Sequence, residues 1–536
     1  ADPMTRPQAT GPASPPPRSA ITRLLNVVEW LGNLLPHPVT LFSLLSVLIL
    51  LLSGLLAHFG VSVPDPRPAG TSGRAEDGVI RVISLLDAEG LRRIVTGLVT
   101  NFTGFVPLGT VLVAMLGVGI AERSGLLTAA IKQLVLGAPK NLVTVVIVFA
   151  AIMSNTASEM GYVVVIPLAA AIFHALGRHP LAGLAAAFAG VSGGYSANLL
   201  IGTVDPLLAG ITQEAARLID PDYEVHAAVN WYFMIVSTFV VTGLGWFVTA
   251  CIVEPKLGPY DPQQLDPAAE PVSMAPLEAV ERRALLWAGM TAALVAAVIA
   301  ALVVPAGGAL RQPGMADTLG SLRPFLTGIV VLVAVFFGIA GIVYGALAGT
   351  IRNDRDVIDA MARSMGTLSL YIVLVFFAAQ FVAFFNWSQL GQVMAVLGSN
   401  LLQSIGLTGP LVFLAFIAIC ALINLSLGSA SAQWAVTAPI FVPMLMLVGY
   451  SPEVIQAAYR IGDSVTNLIT PMMSYFGLIM AFAARYQRDI GVGTLIAMML
   501  PYSVVFFVGW SLLFFVWVFG LGLPVGPGAP TYYTPG

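Results

Sequence analysis

Charge is what this chain has least of. Asp, Glu, Lys and Arg make up 10% of the 536 residues while hydrophobic residues make up 57%, and the mean hydropathy is +0.89. Soluble globular domains carry roughly 25% charged residues, so this balance excludes one. The net charge is only −3 and no basic run is interleaved with aromatics, which excludes a nucleic-acid groove and leaves no nucleic acid among the expected partners. Cysteine is almost missing: Cys251 and Cys420 stand far apart in apolar segments and make no disulfide framework. The few histidines, His174 and His179 among them, fall at expected membrane edges and form no metal cluster, so no cofactor is expected. There is no zinc-protease H-E-x-x-H, no P-loop and no Ser/Lys or paired-Asp constellation, which argues against an intramembrane enzyme or an ATP-driven pump.

Apolar runs are what the chain has in excess. A helix needs about 20 apolar residues to cross a bilayer, and this predicts nine crossings, near 38–59, 94–121, 181–217, 229–252, 283–304, 324–349, 364–386, 453–485 and 489–521. The expected fold class is an all-α polytopic membrane protein, with the lipid bilayer as its surroundings. The third and eighth runs are longer than a crossing needs and are interrupted, at Gly193-Gly194 to Asn198 and at Asn467 to Pro471, so each reads as two half-helices. Two more runs, 140–176 and 409–448, carry a polar turn midway. Each half is too short to cross comfortably, which predicts two re-entrant hairpins with tips at Ser154–Ser158 and Asn424–Ser431.

Polar residues at bilayer depth are costly unless they line a cavity inside the protein, so these interruptions mark a site built from broken helices. The design occurs twice. Asn155 and Asn198 are 43 positions apart, as are Asn424 and Asn467, and the second asparagine of each pair is followed by Leu and preceded by a Gly and a Ser. Matching spacing, flanks and interruptions read as a duplicated unit. Short cytoplasmic loops are enriched in Lys and Arg. With the N-terminus in the cytoplasm, 15 of the 24 basic residues fall inside, eight outside, and Arg460 alone within the membrane. Lys140 and Arg178 flank the first hairpin, whereas no Lys or Arg lies between Arg363 and Arg460, so the hairpins are expected to enter from opposite sides as an inverted repeat.

The expected order is then as follows. Residues 1–19 are a cloning remnant and a Pro-rich disordered arm; 20–93 hold a surface helix (20–35), the first crossing and an outside loop. Repeat 1 runs over 94–217 (span, surface helix 125–137, hairpin, broken helix), three scaffold spans and a solvated cytoplasmic loop over 218–363, and repeat 2 over 364–485 with its surface helix at 389–404. The last crossing and an outside tail fill 486–536.

The tip S-N-T, the block S-A-S-A-Q-W and the stretch S-P-E-V-I-Q-A-A-Y-R-I-G-D-S-V-T-N-L-I-T-P resemble the p-aminobenzoyl-glutamate transporter (AbgT) family, from the first span to the last. The resemblance implies a homodimer in the bacterial inner membrane that moves p-aminobenzoyl-glutamate or exports sulfonamide antimetabolites. It also implies that Trp434, Pro452, Arg460, Asp463, Asn424 and Asp205 match positions the family uses in transport. A Na⁺-coupled dicarboxylate carrier with the same hairpin logic is the alternative.

Read residue by residue, Asn155, Ser158, Asn198, Asn424, Ser429 and Asn467 either cap half-helices or supply hard oxygen ligands to Na⁺, the one metal ion expected, and the two roles can coexist. H⁺ is the other candidate coupling ion, with Asp205 or Asp463 as carrier. Intramembrane Arg460 is expected to pair with Asp463 one turn on, either as a structural pair or to hold a substrate carboxylate beside Ser431 and Trp434. Tyr195 and Trp434 could stack an aromatic ring. Gly193, Gly194, Pro439, Pro452 and Pro471 are expected to act as hinges of a mobile unit.

Overall fold

The computed structural model describes residues 36–71, 73–157, 161–266, 274–315 and 318–534. The expected surface helix 20–35 and the N-terminal arm lie outside the described residues, as do Ser158 of the first hairpin tip and part of the loop after Cys251. Apart from a two-stranded antiparallel ribbon pairing Ser62–Pro64 with Val79–Arg81, the regular structure is helical.

Eight described helices, or up to nine, are long and apolar enough to cross a membrane. Most sit where hydropathy put them, as with Pro38–His58, Trp231–Val248, Ala279–Val303, Ile329–Ala348, Ser369–Trp387 and Val492–Phe514. The expected 94–121 span differs: it forms two helices, Ala88–Thr103 and Val106–Arg123, parted at Gly104-Phe105 because Pro107 opens the second. Proline has no N–H to give the preceding turn, so it costs least in the first turn of a helix.

Both broken helices are present. The first runs as Pro180–Phe188 extended by a π turn over Ala189–Gly193, then irregular backbone, then Val204–Ala216. The second runs as Pro452–Val465, then irregular backbone, then Phe476–Ala484. The first hairpin has arms Val143–Met153 and Ile166–Ala175, too short to span. The second departs from expectation. Its arms are Val412–Leu427 and Ala430–Val448, and the latter, at 19 residues, is long enough to cross by itself. Its turn is tighter than the sequence suggested, because Gly428 adopts the left-handed conformation (φ 55°) that ends one arm and Ser429 starts the next. A side chain there would be strained and would press on the Met472 carbonyl.

The loops sort into two groups that do not mix in the hydrogen bonds described. Arg67 donates to the Ile219 carbonyl (2.6 Å), Gln392 to the Leu218 carbonyl (2.7 Å), Arg323 pairs with Glu224 (2.6 Å), His226 meets the Pro527 carbonyl (3.0 Å), and Ser451 donates to the Pro530 carbonyl. In the other group Arg178 pairs with Glu254 (2.5 Å), Tyr260 donates to the Tyr486 carbonyl (3.1 Å) and Thr350 to the Ser124 carbonyl (2.9 Å). These are the two faces that the count of basic residues separated.

Candidate functional site

The site begins with an accounting problem. Helix Pro452–Val465 is buried along its whole length although it carries Glu453, Gln456, Arg460, Asp463 and Ser464. Buried polar groups must find partners, because each one left alone costs about 1–3 kcal/mol. Most of these partners come from the first repeat and the loop after it.

Arg460 and Asp205 form the centre. One guanidinium nitrogen lies 2.5 Å from the Asp205 carboxylate, with side chains 2% and 4% exposed. The other Asp205 oxygen accepts from the Gly202 backbone N–H at 2.6 Å, and Arg460 Nε donates to Asn230 Oδ1 at 3.1 Å. This corrects the sequence reading: Arg460 pairs across the repeats with Asp205, not with Asp463 one turn along its own helix. The reason is the break after Gly193-Gly194, which brings the start of helix Val204–Ala216 against helix Pro452–Val465, a meeting that helical spacing cannot reveal.

The network continues outward from that pair. Gln456 donates to Asn230 Oδ1 (2.8 Å), Thr212 Oγ1 lies 2.6 Å from Gln456 Oε1, and Trp434 Nε1 donates to Thr212 Oγ1 (2.8 Å). Trp434 also stacks on Tyr459, with ring centroids 4.2 Å apart and planes at 22°. Three of the expected residues, Trp434, Arg460 and Asp205, share one network, while Tyr195 is half-buried in the irregular backbone that follows Gly193. Sequence reasoning missed Gln456, Asn230 and Thr212. Gln456 was within reach, since Gln456, Arg460 and Asp463 recur at helical spacing. Asn230 and Thr212 carry no such signal.

Asp463 takes another place. Its backbone carbonyl accepts from Asn424 Nδ2 at 2.6 Å; one carboxylate oxygen lies 3.5 Å from the Tyr459 hydroxyl, whose proton goes to the Ala430 carbonyl (2.6 Å), and the other has no partner among the described residues. Asn424 also bonds Asn467 Oδ1 (2.7 Å) and Thr466 Oγ1 (3.0 Å), while its own Oδ1 has no partner. The first repeat repeats the plan. Asn155 Nδ2 donates to the Gly194 carbonyl (3.5 Å), Thr156 Oγ1 donates to Asn198 Oδ1 (3.1 Å), and Asn155 Oδ1 has no partner among the described residues. In both repeats the hairpin asparagine presents a free buried oxygen, and Asp463 Oδ2, Ser464 Oγ and Ser196 Oγ are likewise unsatisfied. Neutral amide and hydroxyl oxygens with one carboxylate are a donor set suited to a hard monovalent cation.

Other expected residues fall less centrally. Ser429 and Ser431 face each other at 3.4 Å across the second turn, half-buried, and the Ala430 carbonyl between them accepts from the Tyr459 hydroxyl at 2.6 Å, so this turn adjoins the Trp434–Tyr459 stack. Pro439 lies inside the continuous helix Ala430–Val448, and Pro452 opens its helix beneath a Ser451 cap, so neither sits at a break. Pro471 does lie in one. Gly193 and Gly194 serve close approach rather than unusual φ: a Cβ at Gly193 would meet Leu468 and Phe506, and one at Gly194 the Gly190 carbonyl. Gly190-Val191-Ser192-Gly193-Gly194 has the G-x-S-x-G spacing of a nucleophile elbow. Its serine, however, lies on a π turn and contacts Tyr162 (3.2 Å) and Met473 (3.1 Å), with no histidine beside it.

The model of the AbgT putative transporter family matches residues 23–533. The chain belongs to the AbgT family. It is 38% identical over 517 residues to the p-aminobenzoyl-glutamate transport protein of Escherichia coli (strain K12), covering 96% of this chain and 98% of that one. Among solved structures it is similar to MtrF of Neisseria gonorrhoeae, described as illuminating a class of antimetabolite efflux pumps, with a TM-score of 0.89 and 61% identity over 95% of this chain and 100% of that one. It is similar also to the YdaH transporter of Alcanivorax borkumensis, described as having an unusual topology, with a TM-score of 0.84 and 48% identity over 92% of this chain and 100% of that one. AbgT membership makes this a multi-pass membrane transporter, and the relatives are named as transporters rather than enzymes.

Proposed function

We propose that this protein is a secondary active transporter of p-aminobenzoyl-glutamate, or an exporter of sulfonamide-type antimetabolites, driven by an H⁺ or Na⁺ gradient. It works as a homodimer in the bacterial inner membrane, with its N-terminus in the cytoplasm and its C-terminus outside. The observation that carries the reading is the Arg460–Asp205 pair, which joins the two broken helices at their interruptions.

A guanidinium buried with one carboxylate is poised for exchange. A glutamyl carboxylate can take the place of Asp205 as a two-point acceptor if Asp205 accepts a proton, so substrate binding and proton uptake become linked events. Two stacked aromatic pairs, Trp434 with Tyr459 at 4.2 Å and Tyr162 with Tyr475 at 4.6 Å, lie on the hairpins and the second broken helix, and are the candidates to meet an aminobenzoyl ring once the site opens. Sodium, if it is the driving ion, is held by Asn424 Oδ1 with the Asp463 carboxylate in repeat 2, and by Asn155 Oδ1 in repeat 1, the oxygens that the protein leaves unsatisfied. Alternating access follows when hairpins and broken helices move as a unit against the remaining spans, between two packings of similar energy.

The test is transport in proteoliposomes with Na⁺ and pH gradients imposed separately, offering p-aminobenzoyl-glutamate and a sulfonamide in turn. Movement of either compound unchanged, driven by one gradient and stopped by Arg460→Ala, is the expected result. Chemical alteration of the compound, or transport indifferent to both gradients, would end this reading.

A further inference from the structure

A cavity of about 340 Å³ lies between helices Ala279–Val303 and Ile329–Ala348; it contains none of the Arg460 network's side chains but is lined by Ile201 and Trp231, the neighbours of Gly202 and Asn230. Its walls are apolar: Ala300, Val303, Leu332 and Phe336 on the helices, and Leu200 and Ile201 at the back. The one polar atom on its walls that could bind a ligand, Trp231 Nε1, is already committed to the Leu199 carbonyl at 2.9 Å. Water has no partners there and would not fill such a space. A void left empty forfeits the dispersion contacts of every wall atom.

What surrounds the cavity identifies its occupant. Helix Ala279–Val303 buries only Ala284 and Ala288 and turns Leu286, Leu294, Val298 and Leu302 outward, as a lipid-facing helix does. The cavity opens on that helix, so either a hydrocarbon chain or the partner subunit of the proposed homodimer can cover it, and the cation at its end decides for a phospholipid. Leu200 keeps 38% of its surface exposed although its neighbours Ala197, Asn198 and Ile201 are buried, because its outer side faces the cavity. At one end Arg311 is held over the helix terminus by the carbonyl of Val303, a wall residue, at 2.6 Å, with Ser321 Oγ at 3.4 Å and no carboxylate paired with it among the described residues. A fixed guanidinium at the mouth of an apolar slot matches a phosphate joined to an acyl chain.

We propose that this cavity is a phospholipid site, with one acyl chain lying against Leu200 and Ile201 and the phosphate on Arg311. The site also reaches the transport machinery. Asn198 Oδ1 holds both the Leu200 N–H (3.0 Å) and the Thr156 hydroxyl of the first hairpin (3.1 Å), so a chain pressed on Leu200 and Ile201 steadies the break that carries Asn198. The bound lipid is then a structural brace for the first repeat.

The protein is reconstituted in vesicles of phosphatidylethanolamine and phosphatidylglycerol that contain a phosphatidylglycerol with a photoreactive group midway along one acyl chain. After illumination, labelled peptides are mapped. Label concentrated on residues 296–304 and 329–337 is expected, falling at least fivefold in Ala300→Trp, which fills the slot. Arg311→Gln is expected to lower labelling by the phospholipid probe but not by a diacylglycerol carrying the same photoreactive chain. Monodisperse elution of both variants controls for folding. Label spread evenly over lipid-facing helices such as Pro38–His58, and unchanged in Ala300→Trp, would overturn the proposal. So would displacement of the label by a sulfonamide, which would make the cavity part of the transport route instead.

Discussion

The two hairpin asparagines, Asn155 and Asn424, occupy the same place in two copies of one design and do unequal work. Each donates its amide nitrogen to a carbonyl 39 residues further on, Gly194 at 3.5 Å and Asp463 at 2.6 Å. From there they part. Asn424 also binds the second asparagine of its repeat directly, at 2.7 Å, whereas in the first repeat Thr156 makes the bond to Asn198 instead. The residue whose carbonyl closes the knot carries a carboxylate in one repeat and no side chain in the other. Backbone geometry has been kept in both copies while ionisable chemistry has been distributed unevenly: Asp463 and Arg460 belong to the second, and Asp205 to the first, where the repeat would place Ser474 in the second. The ion pair between copies, Arg460 to Asp205, depends on that inequality.

Breaking that bond is the sharpest way to test the comparison. Arg460→Ala and Asp205→Ala each leave a charge buried alone, at a cost of about 3–5 kcal/mol, and are expected to lower transport at least a hundredfold. Arg460→Lys should be nearly as harmful, since an ammonium cannot reproduce the fork, and p-aminobenzoyl-glutamate should suffer more than an uncharged sulfonamide in paired uptake assays. Equal losses for both compounds in a well-folded Arg460→Lys protein would assign the pair to structure alone.

Making the repeats alike is the second way. Asp463→Gly gives repeat 2 the residue of repeat 1 and is expected to reduce the cation dependence of transport about tenfold while the purified protein stays monodisperse. The reverse change is not symmetric: Gly194→Asp puts a Cβ 2.6 Å from the Gly190 carbonyl and from Ile152, and should unfold the protein or abolish its expression. A folded and active Gly194→Asp protein would show that the first break is looser than this packing allows.

A smaller contrast separates the asparagines themselves. Asn424→Ala removes an amide nitrogen whose two hydrogens serve acceptors at 2.6 and 2.7 Å, with a third at 3.0 Å beside them, and Asn155→Ala removes one long bond. At about 1 kcal/mol net for each bond, Asn424→Ala should lower the apparent Tm by several degrees more than Asn155→Ala, and reversal of that order in thermal melts would refute the ranking.

The smallest effect is expected outside both repeats, in the 60–93 loop. Burial works against the Asp65 charge, but the hydrogen bonds from Arg67, at 2.6–3.2 Å, prevail and hold its carboxyl below the ordinary range. A lowered folded-state pKa adds stability that is present above the unfolded value, near 3.8, and is lost as pH falls through the lower one. Hydrogen exchange in this loop should therefore stay slow down to about pH 4 and rise below it, with Asp65→Asn raising it at neutral pH and leaving transport unchanged.

The sequence by itself determined whatever depends on position along the chain. Long apolar runs identified most of the long helices, and polar interruptions at a repeated 43-residue spacing identified the two polar turns and the two helix breaks. It also pointed to Trp434, Arg460, Asp205 and the four asparagines, because a costly group at bilayer depth is conspicuous in one dimension. It did not determine partners. Arg460 had an acid one turn away on its own helix, and i, i+3 spacing made Asp463 the natural choice. Only the tertiary structure, by ending one half-helix at Gly193 and starting the next at Val204, set Asp205 against Arg460 and left Asp463 to the asparagine knot. Asn230, Gln456 and Thr212 joined the network for the same reason. Hydrogen bonds act across about 3 Å of space whatever the separation in sequence, and where two irregular segments meet, no periodicity carries that information forward from the residues.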